Sequence, residues 1–218
     1  MKYNTILFDL DGTLLNTLDD LHQSVNAVMI QKGYPLRTIN EIRAFIGDGA
    51  KMLMKRSLPE CADEDEVTCC LELFRCHYVD NMLNSTRPYA GIMELLKELK
   101  QCGLKIGVVS NKPDEATREM CRMFFDGVVD AATGDNQERR KKPAPDNVFE
   151  VMKQLGAEKE STLYVGDSDT DIITARNAGL ISVGVTWGFR PKELLISEGA
   201  DFIVDRPDQI LTLLTNAE

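Results

Sequence analysis

Six short apolar runs punctuate this chain: Thr5–Phe8, Lys105–Val109, Val128–Ala131, Thr162–Val165, Ile181–Val185 and Phe202–Val204. Several are rich in β-branched residues and are bounded by Gly, Asp or Ser. From Gly91 onward the intervals between them carry helical patterns: Ile92–Cys102, Pro113–Met123, Asp146–Leu155, Asp169–Ala178, Pro191–Ser197 and Pro207–Leu214. Gly103, Gly156, Gly179 and Gly199 stand where C-terminal caps belong, and Pro113, Pro191 and Pro207 stand near helix starts. Strands that are apolar throughout need cover on both faces, and intervening helices supply it. The fold class expected is therefore α/β, a doubly wound, Rossmann-like parallel sheet.

One interval breaks the rhythm. Between about Leu15 and Thr86 no strand pattern is convincing, and helix follows helix. Leu18, Leu21, Val25, Val28 and Met29 form one stripe of helical period, with Thr17 as N-cap and Asp20 completing a capping box. Val67, Cys70, Leu71, Phe74, Tyr78 and Met82 form another, with helices over Thr38–Phe45 and from about Asp48 to Leu58 between them. The expected organisation is an α/β core of residues 1–15 and 87–218 and an inserted all-α cap of residues 16–86. Its hinges fall near Leu15–Asn16 and Arg87–Gly91.

Composition narrows the function. With 218 residues, 43% hydrophobic and 28% charged, the chain has enough length for a substantial core. A net charge of −10 argues against nucleic acid or an anionic membrane as the main partner. An acidic protein that acts on an anion needs a metal ion or local lysines. Met1-Lys2-Tyr3-Asn4 leads directly into a strand-like run, and no apolar segment approaches the roughly 20 residues that span a bilayer. The expectation is a cytoplasmic protein, monomeric or homodimeric. Cys61, Cys69, Cys70, Cys76, Cys102 and Cys121 form no C-x-x-C pair and are expected as reduced, semi-buried fillers. His22 and His77 are read as helix-surface or packing residues.

The chemistry collects at strand ends, where ligands bind in an open α/β sheet. The first run ends in Asp9-Leu10-Asp11-Gly12-Thr13, two acids one residue apart at a turn. Carboxylates are costly at the end of a buried strand, so the pair indicates a cation or a reaction. Two acids on one side of an extended backbone can serve as nucleophile and proton carrier. After the second run, Ser110-Asn111-Lys112 presents a hydroxyl, an amide and an ammonium. The third leads through Thr133-Gly134-Asp135 and a basic stretch to Lys141-Lys142-Pro143, and the fourth into Gly166-Asp167-Ser168-Asp169-Thr170-Asp171. Transfer of a phosphoryl group needs that set: oxygen ligands for Mg²⁺, plus a hydroxyl and a fixed positive charge for the moving oxygens.

These four segments, in this order, resemble the motifs of the haloacid dehalogenase superfamily in its phosphatase branch, and the insert resembles that family's helical C1 cap. The resemblance implies Asp9 as nucleophile and Asp11 as acid to the leaving alcohol, then base to water. It implies Mg²⁺ held by the Asp9 and Asp167 carboxylates and the Asp11 carbonyl, Ser110 and Lys142 on the phosphoryl group, and Asp171 behind them. Thr13 and Asn111 join the substrate-binding set. Lysine directly before the proline selects Lys142 over Lys141. In dehalogenases of the superfamily the second aspartate is replaced, so Asp11 argues against carbon–halogen cleavage. Asn16 stands where many relatives have aspartate, and still serves as a cap or hinge.

In the insert, Ile46-Gly47-Asp48-Gly49 precedes Ala50-Lys51. From the residues alone this is either an inter-helix turn with a solvated basic face or a set of backbone N–H groups open to an anion. It resembles the cap loop of the phosphoglycolate phosphatase group, as does Pro88-Tyr89-x-Gly91. That likeness implies a small phosphorylated metabolite as substrate, its carboxylate met by loop amides at Gly47 and Gly49 with Arg43 or Lys51. Asp48 is awkward there, because an inward carboxylate would repel the substrate. Rival readings on the same scaffold are an inorganic pyrophosphatase, a nucleotidase, a sugar-phosphate phosphatase and a phosphomutase. A receiver-like phospho-accepting signalling domain shares the residue types, but it is smaller and needs no helical insert.

Overall fold

The computed structural model describes residues 2–215, and the chain divides into two compact units, Met1–Leu15 with Pro88–Glu218 and Asn16–Arg87. In the first unit, strands β1 (Thr5–Phe8), β4 (Lys105–Pro113), β5 (Ala131–Asp135), β6 (Thr162–Gly166), β7 (Ile181–Val185) and β8 (Phe202–Val204) form one sheet. Its order is β5-β4-β1-β6-β7-β8, and every pairing is parallel. Two-residue strands β2 (Leu15–Asn16) and β3 (Arg87–Pro88) pair with each other. The helices of this unit are α5 (Ile92–Gln101), α6 (Asp114–Phe125), α7 (Asp146–Leu155), α8 (Asp169–Ala178), α9 (Lys192–Ser197) and α10 (Asp208–Thr215).

The chain runs outward from β1 through β4 to β5, then returns to the other side of β1 for β6, β7 and β8. That reversal is a topological switch point, where the carboxyl ends of β4, β1 and β6 open a crevice. Leu7, Val109 and Tyr164 from those strands pack with Val148, Val151, Met152 and Leu155 of α7 and Ala175 and Ala178 of α8. Burial of this cluster fixes the three strand ends side by side.

Two strand boundaries bear on the strand-end residues. The third strand lies at Ala131–Asp135 rather than Val128–Ala131. Gly127 turns the chain with φ 70°, and the Val128 and Val129 amides donate to the Phe125 carbonyl, so neither is free for the sheet. Strand β4 runs on to Pro113, past a shift in its pairing with β5 between Val109 and Pro113. Ser110, Asn111 and Lys112 therefore belong to the strand's irregular end and not to a loop beyond it.

The second unit is all-helical: α1 (Leu18–Lys32), α2 (Ile39–Phe45), α3 (Ala50–Ser57) and α4 (Glu64–Asn81). Both predicted stripes are buried, and Phe74 and Tyr78 stack with ring centroids 5.3 Å apart. The Thr17–Asp20 capping box does not form. Thr17 makes no side-chain cap, Asn16 Oδ1 takes the Leu18 N–H, and Asp20 turns inward to accept from the Ser85 and Thr86 amides and the Thr86 hydroxyl. A real capping box stands at Thr38–Glu41. His77 Nδ1 meets Ser24 Oγ at 3.1 Å, and His22 Nε2 meets the Arg37 carbonyl at 2.9 Å, both packing roles. Only Cys70 and Cys121 are buried; Cys61, Cys69, Cys76 and Cys102 are exposed, contrary to the semi-buried expectation. Among the described residues no helix is long and apolar enough to cross a membrane.

Candidate active site

At the end of β1 the Asp9 N–H donates to the Val165 carbonyl at 2.9 Å, which ties the carboxylate-bearing turn to β6. The turn needs Gly12, whose φ is 91°. A Cβ there would lie 2.7 Å from Asp167 Cγ, and one on Gly188 would press on the same carboxylate. The two glycines thus leave a cradle that Asp167 fills. Its oxygens accept from Thr13 Oγ1 at 3.1 Å and from the Phe189 N–H at 2.7 Å. Ser168 and Asp171 form a capping box that starts α8, and this points the other Asp171 oxygen into the site.

Lys142 reaches the same point from the segment before α7. Its ammonium lies 2.6 Å from Asp9 Oδ1 and 2.8 Å from Asp171 Oδ1. Asn111 clamps the Lys142 main chain from β4. Its Oδ1 accepts the Lys142 N–H at 2.8 Å, and its Nδ2 donates to the Lys142 carbonyl at 3.1 Å. The Lys142–Pro143 peptide is cis. Tyr164 adds a hydroxyl 3.4 Å from Asp171 Oδ1.

Carboxylate oxygens of Asp9, Asp167 and Asp171 lie within 4.8 Å of one another, all three residues buried. One ammonium faces them, so negative charge is in excess. Burial pushes the Asp9 carboxyl well above the usual range, against the pull of Lys142. Burial likewise drives Asp167 up to about 7; Asp171 adds repulsion, while the Phe189 amide and the Thr13 hydroxyl pull it back. Burial opposes the Lys142 charge, but Asp171 and Asp9 outweigh it and hold its pKa well above the lysine value. An oxygen-only donor set with uncompensated negative charge, seated in a cradle that a Cβ would fill, fits a hard divalent cation.

Asp9, Asp167, Asp171 and Lys142 are thus brought together, and Ser110, 2% exposed, stands at the adjacent strand end. Asp11 lies outside the carboxylate cluster, its Oδ1 3.3 Å from the Lys112 ammonium. Thr13 and Asn111 both make contacts within the protein. The Thr13 hydroxyl is buried on Asp167, and the Asn111 amide holds the Lys142 main chain. In the helical unit, Gly49 is the N-cap of α3 with φ 86°, Gly47 has φ 125°, and Arg43 is exposed on α2. The local cations there are already paired, Lys51 with Glu64 at 2.9 Å, Lys55 with Glu64 at 2.7 Å, and Arg56 with Asp48 at 2.5 Å. Asp48, the awkward carboxylate, is neutralised by Arg56.

Sequence reasoning overlooked Gly188 and Phe189, which hold Asp167, and Tyr164 behind Asp171. No local pattern marks them, since each acts through a neighbour remote in the chain. In the basic stretch before Lys142, Arg139 donates to Asn147 Oδ1 and Arg140 pairs with Asp146.

A parallel sheet that gathers a buried lysine and three carboxylates at its switch point defines a hydrolase of the aspartate-based α/β class. The model of the haloacid dehalogenase-like hydrolases matches residues 6–185, and the chain belongs to that family. It is 33% identical over 212 residues to the phosphoglycolate phosphatase of Aquifex aeolicus, covering 97% of this chain and 96% of that one. Identity is also 33% to the phosphoglycolate phosphatase of Haemophilus influenzae, over 98% of this chain and 99% of the other. A crystal structure from Lactobacillus delbrueckii subsp. bulgaricus, provisionally a phosphoglycolate phosphatase, superposes with a TM-score of 0.93 at 36% identity, covering 98% and 99% of the two chains.

Proposed function

We propose that this protein is a Mg²⁺-dependent phosphatase of 2-phosphoglycolate, acting in the cytoplasm as a monomer or homodimer without nucleic acid or membrane as a partner. It is a phosphoric monoester hydrolase acting on a small phosphorylated substrate. The observation that carries the proposal is Lys142 bridging Asp9 and Asp171 beside Asp167, a buried site with one cation too few. Full-length similarity to phosphoglycolate phosphatases supports the choice of substrate.

In this reading the Asp9 carboxylate attacks phosphorus, the bond to the leaving oxygen breaks, and Asp11 gives that oxygen a proton. Asp11 then takes a proton from the water that cleaves the aspartyl-phosphate, which frees phosphate and restores Asp9. Lys142 donates to the Asp9 and Asp171 carboxylates, and its fixed charge attracts a phosphoryl oxygen. The Ser110 hydroxyl takes another, and the rest is positioning. Asp9, Asp167 and the Asp11 carbonyl would hold Mg²⁺, which when bound neutralises the phosphate charge that otherwise repels the Asp9 carboxylate. The Gly47–Gly49 loop is assigned to substrate selection. Because Lys51 is exposed and paired with Glu64, the loop's amides are the better candidates for that task.

Phosphate release is measured on 2-phosphoglycolate, pyrophosphate, nucleoside monophosphates, sugar phosphates and p-nitrophenyl phosphate, with Mg²⁺ and with EDTA. Turnover of 2-phosphoglycolate should exceed the others, stop in EDTA and vanish in Asp9→Asn. A preference for pyrophosphate, a nucleotide or a sugar phosphate, or an isomer product without free phosphate, replaces the substrate reading. Measurable turnover by Asp9→Asn removes the nucleophile. Gly49→Pro should cost more on 2-phosphoglycolate than on p-nitrophenyl phosphate; equal losses remove the loop's role.

A further inference from the structure

Among the described residues two lysines are buried, Lys142 and Lys112. The reaction above uses the first and leaves the second unexplained. A desolvated ammonium is unfavourable unless an anion meets it, so a buried lysine asks for a counter-charge. Lys112 sits at the irregular end of β4, fixed by its main chain. Its N–H donates to Ser110 Oγ at 3.2 Å, and its carbonyl accepts from the Thr117 hydroxyl at 3.3 Å. The Lys112 side chain is 4% exposed, and its ammonium lies 3.3 Å from Asp11 Oδ1, whose side chain is 15% exposed.

We propose that Lys112 determines substrate specificity by binding a carboxylate on the leaving alcohol. The inference rests on the reading of Asp11 as proton donor and deepens the substrate assignment. A donor to the leaving oxygen must come within about 3 Å of it. The ammonium beside Asp11 therefore borders the first atoms of the leaving group and not the phosphoryl end, where Lys142 stands. In a phosphomonoester of an α-hydroxy acid, the carboxylate is attached to the carbon that bears the ester oxygen, which places it on the Lys112 side. There it meets a cation already stripped of water, where a charged hydrogen bond is stronger than at the surface. Lys51 of the helical unit, by comparison, is half exposed and spends its charge on Glu64. The division is then one buried ammonium for the phosphoryl group and one for the carboxylate.

The test compares 2-phosphoglycolate with 2-hydroxyethyl phosphate, in which a hydroxymethyl group replaces the carboxylate. Wild type should prefer 2-phosphoglycolate in kcat/KM. Lys112→Met should lower the ratio of the two kcat/KM values by about 10- to 100-fold, the worth of one charged hydrogen bond, with most of the difference in KM. Lys112→Arg should retain most of the preference. Where turnover by Lys112→Met is too slow, the ratio of the two affinities measured by calorimetry in an Asp9→Asn background replaces it. Equal loss on both compounds would overturn the proposal and leave Lys112 as a positioning residue for Asp11. If wild type shows no preference between them, the substrate reading falls first and the role of Lys112 with it.

Discussion

Lys142→Met removes the ammonium that bridges Asp9 and Asp171 and leaves three buried carboxylates within 4.8 Å of one another without it. Asp171 keeps the Ser168 amide and hydroxyl, so the larger uncompensated charge falls on Asp9. Breaking a buried pair by removing one partner destabilises by about 3–5 kcal/mol. For a chain of this length that corresponds to about 6–20 °C in Tm. The sign with pH separates charge from packing. Lys142 stays protonated in wild type, and its pull lowers Asp9; without it the folded pKa of Asp9 rises further above the unfolded value of about 3.9. A native state that binds more protons than the unfolded one loses stability as pH rises. The variant's penalty should therefore be small near pH 5 and large at pH 8. The assay is urea unfolding in EDTA followed by the single tryptophan, Trp187, whose indole N–H donates to the Thr13 carbonyl of this same unit. Turnover with Mg²⁺ should fall by at least about 10²-fold. A penalty of equal size at both pH values would mean a packing defect and refute the electrostatic account.

Metal-free wild type should lose stability as pH rises from about 4 to 7, because burial places the folded Asp167 pKa at about 7; unfolding midpoints in EDTA should show this, and Asp167→Asn should flatten the slope. Gly12→Ala forces a Cβ against the Asp167 carboxylate at a φ of 91°, so activity should drop by more than about tenfold and excess Mg²⁺ should restore little of it. Asp20→Ala strands the Ser85 and Thr86 amides and should destabilise the helical unit by about 2–4 kcal/mol, which thermal melts by circular dichroism would detect. A Tm change under 2 °C in that variant would contradict the role assigned to Asp20.

Much of the fold was legible in the order of the residues, because period and punctuation are local. Apolar runs of strand length between helical patterns specified a parallel α/β sheet, and the loss of strand pattern after Leu15 marked the helical insert. Acids at the ends of two runs stood out because buried strands exclude them. Errors came where a neighbour in space overruled the local signal. Val128 and Val129 have strand propensity, yet the turn at Gly127 takes their amides; Thr17 and Asp20 spell a capping box, yet Asp20 serves Ser85 and Thr86.

By itself the sequence determined the fold class and the identity of the strand-end side chains, since both follow from covalent order and from the cost of placing charge in an apolar run. Tertiary structure alone decided which charges meet. Lys142 could have faced solvent, but the Asn111 clamp and the α8 capping box aim it at Asp9 and Asp171. Asp167 is cradled by Gly12 and Gly188, more than 150 and about 20 residues away in sequence, and Lys112 is set beside Asp11 from a different strand. Coulomb interactions depend on separation and burial, and neither quantity exists until the sheet has brought those strand ends together.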